Sequence, residues 1–270
     1  MPGFYLFKKK QKENSSMFFS GRDLEKKGKE VIKNLYYFSE NQMLDCNQYI
    51  IKDADSDQLA LFDAGNGISL QGLLQGMEKI NLNLYTISKV FLTHEHVDHT
   101  LGLYPLMKLM EEDPPEIYAY GETAKILREG DVSRIFPGNL GIKPSMFGVE
   151  IIPLKVNNLE GLNEIDIFSD FKFQIHFTPG HSLGSICYYE PNKKILIPGD
   201  LIFKADLIFN MGSFGRYDFP GGSLETLKAS IKHITKLDVS ILLPGHMDIV
   251  ERNANQHIAL SYKTIKSIPY

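Results

Sequence analysis

The chain has 270 residues, of which 43% are hydrophobic and 23% are charged. This length and this apolar fraction suffice for one domain with a substantial core, so no second domain is required. A formal net charge of -4 argues against a broad basic surface for nucleic acid and leaves a small-molecule substrate as the expected partner. The sequence leaves the oligomeric state open, and a homo-oligomer is compatible with it.

The cysteine content and the N-terminus predict a cytoplasmic protein. The two cysteines, Cys46 and Cys187, are too few for a disulfide framework, and we interpret them as buried apolar thiols. The N-terminal apolar run is too short for the core of a signal peptide, and no stretch reaches the length of a membrane span. We therefore expect a soluble protein with no membrane partner.

The predicted elements begin after a charged N-terminal segment. Residues 1–33 lack apolar periodicity, which predicts an N-terminal extension ending in a short helix, followed by one domain over residues 34–270. Short apolar runs separated by turn residues then predict strands in NLYYFSE, CNQYIIKD and QLALFDAGNG. Apolar residues at helical spacing predict a helix over residues 69–80, and the run ISKVFLTH predicts another strand.

The second half of the chain repeats the order of strands followed by helices. Helices are predicted in LGLYPLMKLM and ETAKILRE, around the strand EIYAY, and a Pro/Gly-rich stretch follows. Strands are then predicted in FKFQIHF, SICYYE, KILIPGDLIF and VSILLPGH, with helices over residues 224–237 and 253–265. This order predicts an α/β fold in which two β-sheets pack together with helices outside, in four layers.

Four ligand-type side chains fall within six residues at the end of ISKVFLTH: His94, His96, Asp98 and His99. His94 and His96 project to the same side of an extended segment, whereas a helix would spread them about 200° apart. Asp98 and His99 are adjacent and point in different directions, so one segment can address two neighbouring metal positions. Burying these polar groups without a ligand would be costly, which favours metal binding.

Three further candidate ligands follow other predicted strands: His181, Asp200 and His246. A glycine precedes each of them, and we expect it to let the backbone turn sharply. Because catalytic sites collect residues from several strand ends, we expect all the candidates to meet at one edge of the sheets. The remaining His176, His233 and His257 have no ligand-type neighbour in the sequence, and we interpret them as structural or exposed.

The order of these motifs, H-x-H-x-D-H followed by a His, an Asp and a His, resembles the metallo-β-lactamase superfamily over residues 34–265. The resemblance implies a four-layer αββα sandwich of two mixed β-sheets and two metal ions that share a bridging carboxylate, Asp200. The other ligands implied are His94, His96 and His181 for one ion, and Asp98, His99 and His246 for the second. Asp63, in LFDAG, is implied to support a ligand, although capping of the Gly-rich turn explains it equally well.

Such a site carries out hydrolysis. Two divalent ions held by imidazoles and carboxylates lower the pKa of a shared water and polarise a substrate carbonyl. The predicted function is a metal-dependent hydrolase that uses a metal-bound hydroxide to cleave a small thioester, ester or lactone. Asp98 is the predicted catalytic residue, which orients the hydroxide and accepts its proton. Zinc is the expected metal, although iron and manganese suit the same ligand types. The substrate-binding residues stay unknown.

The segment over residues 212–222, GSFGRYDFPGG, is similar to an element of short glyoxalase II-like hydrolases, which cleave thioesters of 2-hydroxy acids. Tyr217 stands where Thr is usual, so a glutathione thioester is one candidate substrate among several. Internal pairing of Arg216 with Asp218 is favoured over direct substrate contact.

A related element occurs in persulfide dioxygenases, and this resemblance gives the alternative function of a mononuclear iron persulfide dioxygenase. Such an enzyme would use His94, His181 and Asp200 as its iron ligands. The complete set of seven ligands favours the hydrolase, as does a segment before Arg216 that contains no Cys.

Overall fold

A computed structural model describes residues 25–41, 44–136 and 141–269. The strands of its first sheet are β1 (Gly28–Ile32), β2 (Leu35–Phe38), β3 (Gln48–Lys52), β4 (Leu59–Phe62), β5 (Ile87–Phe91), β6 (Glu116–Ala119) and β7 (Val156–Asn158). They lie in sequence order across the sheet. The pairs from β1 to β4 are antiparallel and those from β4 to β7 are parallel, so the sheet is mixed.

The second half of the chain forms a second sheet and a hairpin. Its strands are β8 (Glu164–Ile167), β9 (Phe171–Phe177), β10 (Ile186–Glu190), β11 (Ile195–Gly199), β12 (Ile202–Asp206), β13 (Met211–Phe214) and β14 (Ile241–Pro244). The second sheet has the order β14-β11-β10-β9-β8, whereas β12 and β13 pair with each other. The pair formed by β11 and β14 is parallel and the other pairs are antiparallel, so this sheet is mixed too.

Helices cover the outer face of each sheet. They are α1 (Leu70–Lys79), α2 (Val97–Thr100), α3 (Leu103–Leu109), α4 (Gly121–Glu129), α5 (Val132–Ile135), α6 (Leu224–Ile234) and α7 (Ala254–Lys266), with 3₁₀ turns at Leu84–Thr86 and Pro144–Phe147. Residues of α1, α3, α4 and α5 pack on the first sheet, and residues of α6 and α7 pack on the second. In the described part of the chain, no helix has the length and apolar character needed to cross a membrane.

Alternating strand residues build three apolar layers. In β3, Ile50 faces the helices of the first half, whereas Tyr49 and Ile51 face the space between the sheets. Successive side chains of a strand point to opposite faces of the sheet, so a strand made only of apolar residues is buried on both faces. Phe62 joins the two sheets, with its ring centroid 5.5 Å from that of Phe173 and 5.2 Å from that of Tyr188. The packing confirms the predicted four-layer αββα sandwich.

One local prediction is wrong. Residues 28–32 form strand β1, which pairs with β2, and not the end of a short helix. Val31 and Ile32 are β-branched residues that favour a strand, and both pack against the apolar layer between the sheets. The sheet therefore begins inside the predicted extension 1–33. Residues 1–24 lie outside the described residues, and their assignment to an extension stays a prediction.

Candidate metal centre

The predicted ligands all lie just beyond the carboxyl ends of strands. Strand β5 leads to the segment from His94 to His99, and strand β9 leads to His181. Asp200 follows β11, and His246 follows β14. The structure brings these residues into two groups, and within each group the ligand atoms lie within 4.8 Å of one another. The first group is His94, His96 and His181, and the second is Asp98, His99, Asp200 and His246.

The distances between ligand atoms fit bound metal ions. His96 Nδ1 lies 2.9 Å from His181 Nε2, and His246 Nε2 lies 3.2 Å from Asp98 Oδ2. Ligand atoms around a tetrahedral zinc ion are about 3.3 Å apart, given bonds of about 2.0–2.1 Å. Asp200 Oδ2 is 3.5 Å from His181 Nε2 and 3.2 Å from His246 Nε2, so its carboxylate touches both groups.

Unsatisfied buried atoms point to the same conclusion. Within the described residues, His94 Nε2, His99 Nε2 and Asp200 Oδ1 are buried and have no hydrogen-bond partner. A buried polar atom left in this state costs about 1–3 kcal/mol. His99 Nε2 and Asp200 Oδ1 lie only 3.3 Å apart, so one cation can satisfy both. The residues present therefore fit a pair of divalent cations.

The surrounding protein fixes the orientation of four of the five imidazoles through their second ring nitrogen. The Nδ1 atoms and their partners are His94 with Thr93 Oγ1 (3.0 Å), His99 with Asp63 Oδ2 (2.9 Å), His181 with the Arg216 carbonyl (2.7 Å) and His246 with Glu40 Oε2 (2.7 Å). A donor Nδ1–H leaves the lone pair of Nε2 free for a metal. His96 differs, because its Nδ1 faces the first group.

Asp63 occupies a supporting position behind the second group. Its Oδ1 accepts a hydrogen bond from Thr93 N at 2.9 Å, and its Oδ2 accepts bonds from Thr93 Oγ1 and His99 Nδ1, both at 2.9 Å. These bonds go to the ligand-bearing segment rather than to the Gly-rich turn. The contacts therefore favour ligand support over turn capping.

Two imidazoles of the first group, those of His94 and His96, are held neutral. Burial, together with the neighbouring imidazoles, lowers the pKa of His94 well below its usual value and that of His96 to about 3. Neutral imidazole is the form that binds metals. Both rings are therefore ready to bind a cation without first losing a proton.

In the second group, protonated imidazoles balance the negative charge of the two carboxylates. Burial alone would raise the pKa of Asp98 and Asp200, but His99 and His246 hold both values below the usual range. In return, nearby anionic groups raise the pKa of His99 and His246, although burial alone would lower it. A cation bound here would replace protons as the partner of these carboxylates, which couples metal binding to proton release.

Glu40 lies 206 positions before His246 and supports the turn that carries it, a role that the sequence did not indicate. Glu40 Oε2 accepts a hydrogen bond from His246 Nδ1, and Glu40 Oε1 accepts one from Met247 N at 2.9 Å. Asn47 N donates to the Gly245 carbonyl at 2.7 Å, so the N-terminal strands hold the whole turn that carries His246. Glu40 follows β2 in an unremarkable sequence, and no local signal identifies it.

The glycines before the ligands serve two different purposes. Gly180 and Gly199 have positive φ values of 133° and 53°, as the predicted sharp turns require. Gly245 is not among the residues with positive φ. A Cβ atom there would collide with Asp200 Oδ1 and lie 2.8 Å from His99 Cε1. Gly245 is thus needed for space beside the ligands and not for backbone freedom.

The segment over residues 212–222 holds part of the site in place. Arg216 and Asp218 form the predicted internal pair, with Nε–Oδ1 at 2.9 Å and Nη2–Oδ2 at 2.6 Å. The Arg216 carbonyl accepts the His181 bond, and the Phe219 ring lies edge-on to His96, with centroids 5.3 Å apart. The segment therefore positions the candidate ligand His181 and covers the first group, which its sequence did not indicate.

The other histidines lie outside both groups. His176 Nδ1 and His233 Nε2 are 3.0 Å apart in an exposed contact, which agrees with the structural or exposed role predicted for both. The two rings meet because β9 and α6 pack together, although they are distant in the sequence. His257 Nδ1 accepts a bond from Ala205 N at 3.1 Å, a structural role as predicted.

Comparison with known proteins identifies the family of this fold and site. A sequence profile of the metallo-β-lactamase superfamily matches residues 42–246. The chain belongs to the metallo-β-lactamase superfamily. Hydroxyacylglutathione hydrolase GloC of Haemophilus influenzae is 33% identical over 200 residues, which cover 71% of this chain and 81% of that protein. The human acyl-coenzyme A thioesterase MBLAC2 is 27% identical over 228 residues, covering 80% of this chain and 77% of that protein.

One solved structure shares both the fold and a moderate sequence identity with this chain. The crystal structure of TTHA1623 in a di-iron-bound form superimposes with a TM-score of 0.60 at 25% identity, covering 83% of this chain and 96% of that one. These relationships confirm the predicted superfamily and the prediction of an enzyme of the metallo-hydrolase class. They leave the substrate and the metal to be argued from the site.

Proposed function

We propose that this protein is a two-metal hydrolase that cleaves a small thioester. The observation that carries the proposal is the pairing of two complete ligand groups around the Asp200 carboxylate. Two divalent ions bound there would activate a water molecule and polarise the substrate carbonyl. The relatives named as a hydroxyacylglutathione hydrolase and an acyl-coenzyme A thioesterase both act on thioesters, which supports this substrate class.

Asp98 is the catalytic residue in this proposal. Its side chain is 16% exposed, more than that of His99 or Asp200, so it can meet a reactant from the mouth of the site. Its lowered pKa keeps it ionised at neutral pH, as a hydrogen-bond and proton acceptor must be. Its Oδ2 atom also lies 3.2 Å from His246 Nε2, which fixes the direction of the carboxylate.

Aromatic side chains flank both ligand groups. Phe219 lies against His96 and His181, and the Phe203 ring centroid is 5.8 Å from that of His246. The Arg216 guanidinium lies over Phe219, 4.4 Å from its centroid. In the proposed enzyme these rings shield the reacting carbonyl from bulk water and offer an apolar surface to the acyl or thiol group.

Zinc is the proposed metal, because five imidazoles and two carboxylates are ligand types that zinc accepts. Iron is a competing occupant, since TTHA1623 was crystallised with two iron ions. The mononuclear dioxygenase alternative would use only His94, His181 and Asp200. It would assign no metal to His99, whose buried Nε2 lies 3.3 Å from Asp200 Oδ1 but has no hydrogen-bond partner among the described residues, so the geometry favours two metals.

The test combines metal analysis with a substrate panel. The purified protein should contain about two metal ions per chain and should release thiol from a hydroxyacylglutathione or an acyl-coenzyme A. Asp98→Asn should lower kcat by about 10²–10⁴-fold, the usual contribution of a general base. Asp200→Ala should abolish turnover while the circular dichroism spectrum stays unchanged. Asp238→Asn, in an exposed pair with Lys194, is the matched control and should keep full activity.

Two results would refute the proposed function. A single iron ion with oxygen consumption on a persulfide would establish the dioxygenase instead. Two bound metals without hydrolysis of any thioester, ester or lactone in the panel would confirm the metal centre but exclude this substrate class.

A further inference from the structure

Glu95 is a buried acidic side chain that the proposed reaction does not use. It lies between His94 and His96 and is 1% exposed. Adjacent side chains of an extended segment point to opposite sides, so Glu95 lies behind the two imidazoles. A buried carboxylate at this position requires partners, because its burial is otherwise strongly unfavourable.

The hydrogen bonds of Glu95 join it to two other segments. Its Oε2 accepts bonds from Ser182 Oγ at 2.8 Å and from Thr123 Oγ1 at 2.9 Å. Ser182 directly follows the ligand His181, and Thr123 belongs to α4. A Cβ atom on Gly184 would collide with Thr123 Oγ1, so the turn after His181 packs directly on this helix.

Arg134 of α5 completes the surroundings of Glu95. Its Nη2 lies 3.8 Å from Glu95 Oε1, too far for a hydrogen bond but close enough to offset the negative charge. The same Nη2 would lie 3.0 Å from a Cβ atom on Gly221. Arg134 therefore fills the space between Glu95 and the 212–222 segment, which in turn holds His181.

We propose that Glu95 is a positioning residue for the first ligand group. By binding Ser182 it ties the turn that carries His181 to the segment that carries His94 and His96. The three imidazoles come from two distant parts of the chain, and Glu95 holds those parts together before a metal binds. The proposal rests on metal binding at the first group and is independent of the substrate hydrolysed.

Metal retention against a fixed concentration of chelator tests this role directly. Loss of a residue that orients metal ligands lowers metal affinity by about 10–100-fold. With a chelator concentration at which the wild type keeps two zinc ions, Glu95→Ala should keep one. Glu95→Gln retains an oxygen that can accept from both hydroxyls and should keep two. Glu122→Ala is the matched control, since Glu122 also approaches Arg134 at 3.8 Å, and it should keep two.

A double variant identifies which ion is lost. Glu40→Gln should release the ion of the second group, because Glu40 orients His246. If Glu95 acts on the first group, the combination of Glu95→Ala with Glu40→Gln should keep no ion at this chelator concentration. Retention of one ion by the double variant would overturn the proposal, as would retention of two by Glu95→Ala.

Ser182→Ala provides a second test of the proposal if Glu95→Ala does not fold. It removes one of the two hydroxyls and should weaken retention of the same ion in a folded protein. Unchanged retention by Ser182→Ala would also overturn the proposal. A chain that binds two ions but cleaves no thioester would refute the proposed function and leave this test intact.

Discussion

Replacing Glu40 with glutamine should weaken the second metal position without unfolding the protein. The carboxylate of Glu40 accepts two hydrogen bonds, one from His246 Nδ1 at 2.7 Å and one from Met247 N at 2.9 Å. Glutamine has one accepting oxygen, and its NH₂ group would face the other donor. The charge that strengthens the short bond to His246 is lost as well.

The expected loss of affinity for one zinc ion is about 10–100-fold, or about 1.4–2.7 kcal/mol. The assay is competition with a chromophoric chelator, with the midpoint of thermal unfolding of the metal-free protein measured in parallel. Glu251→Gln removes a similar carboxylate from an exposed pair with Lys29. This control should bind zinc as the wild type does and change stability by less than about 0.5 kcal/mol. If Glu40→Gln kept zinc affinity within twofold of the wild type, the inferred orientation of His246 by Glu40 would be wrong.

Three other changes test the site. Gly245→Ala places a Cβ atom against Asp200 and His99, so it should reduce binding of both ions in a correctly folded chain; normal metal content would contradict the close packing. In Asp63→Asn, the new asparagine tolerates the positive φ of 55° at this position, but its NH₂ group would face a donor of Thr93 or His99. Urea denaturation should therefore show a free energy of unfolding that is lower by about 1–3 kcal/mol. Chelation should lower Tm and added zinc should restore it, because an ion present at 100 times its Kd stabilises the fold by about 2.7 kcal/mol.

Local periodicity predicted most of the elements. The helix expected over residues 69–80 is observed as Leu70–Lys79, and the helix expected over 253–265 as Ala254–Lys266. These elements were predictable because apolar side chains recur at helical spacing within one segment. Residues 28–32 were not, because their charged composition hides a strand that forms only by pairing with β2.

The candidate ligands could be recognised in the sequence because they stand beside other recognisable features. His94, His96, Asp98 and His99 share six residues, and the remaining ligands each follow an apolar strand and a glycine. Strand ends at one edge of the sheets meet in space, so this local pattern was enough to predict a common site. The two groups in which the structure places them agree with the division that the superfamily resemblance implies.

The sequence by itself determined the four-layer fold, the superfamily and the set of candidate ligands. Only the tertiary structure decided which groups hold those ligands in place: Glu40 behind His246, the Arg216 carbonyl behind His181, and Glu95 between two ligand-bearing segments. The reason is physical. An orienting partner needs only an oxygen within hydrogen-bonding distance, and many side chains and every backbone carbonyl supply one, so its identity depends on how distant segments pack.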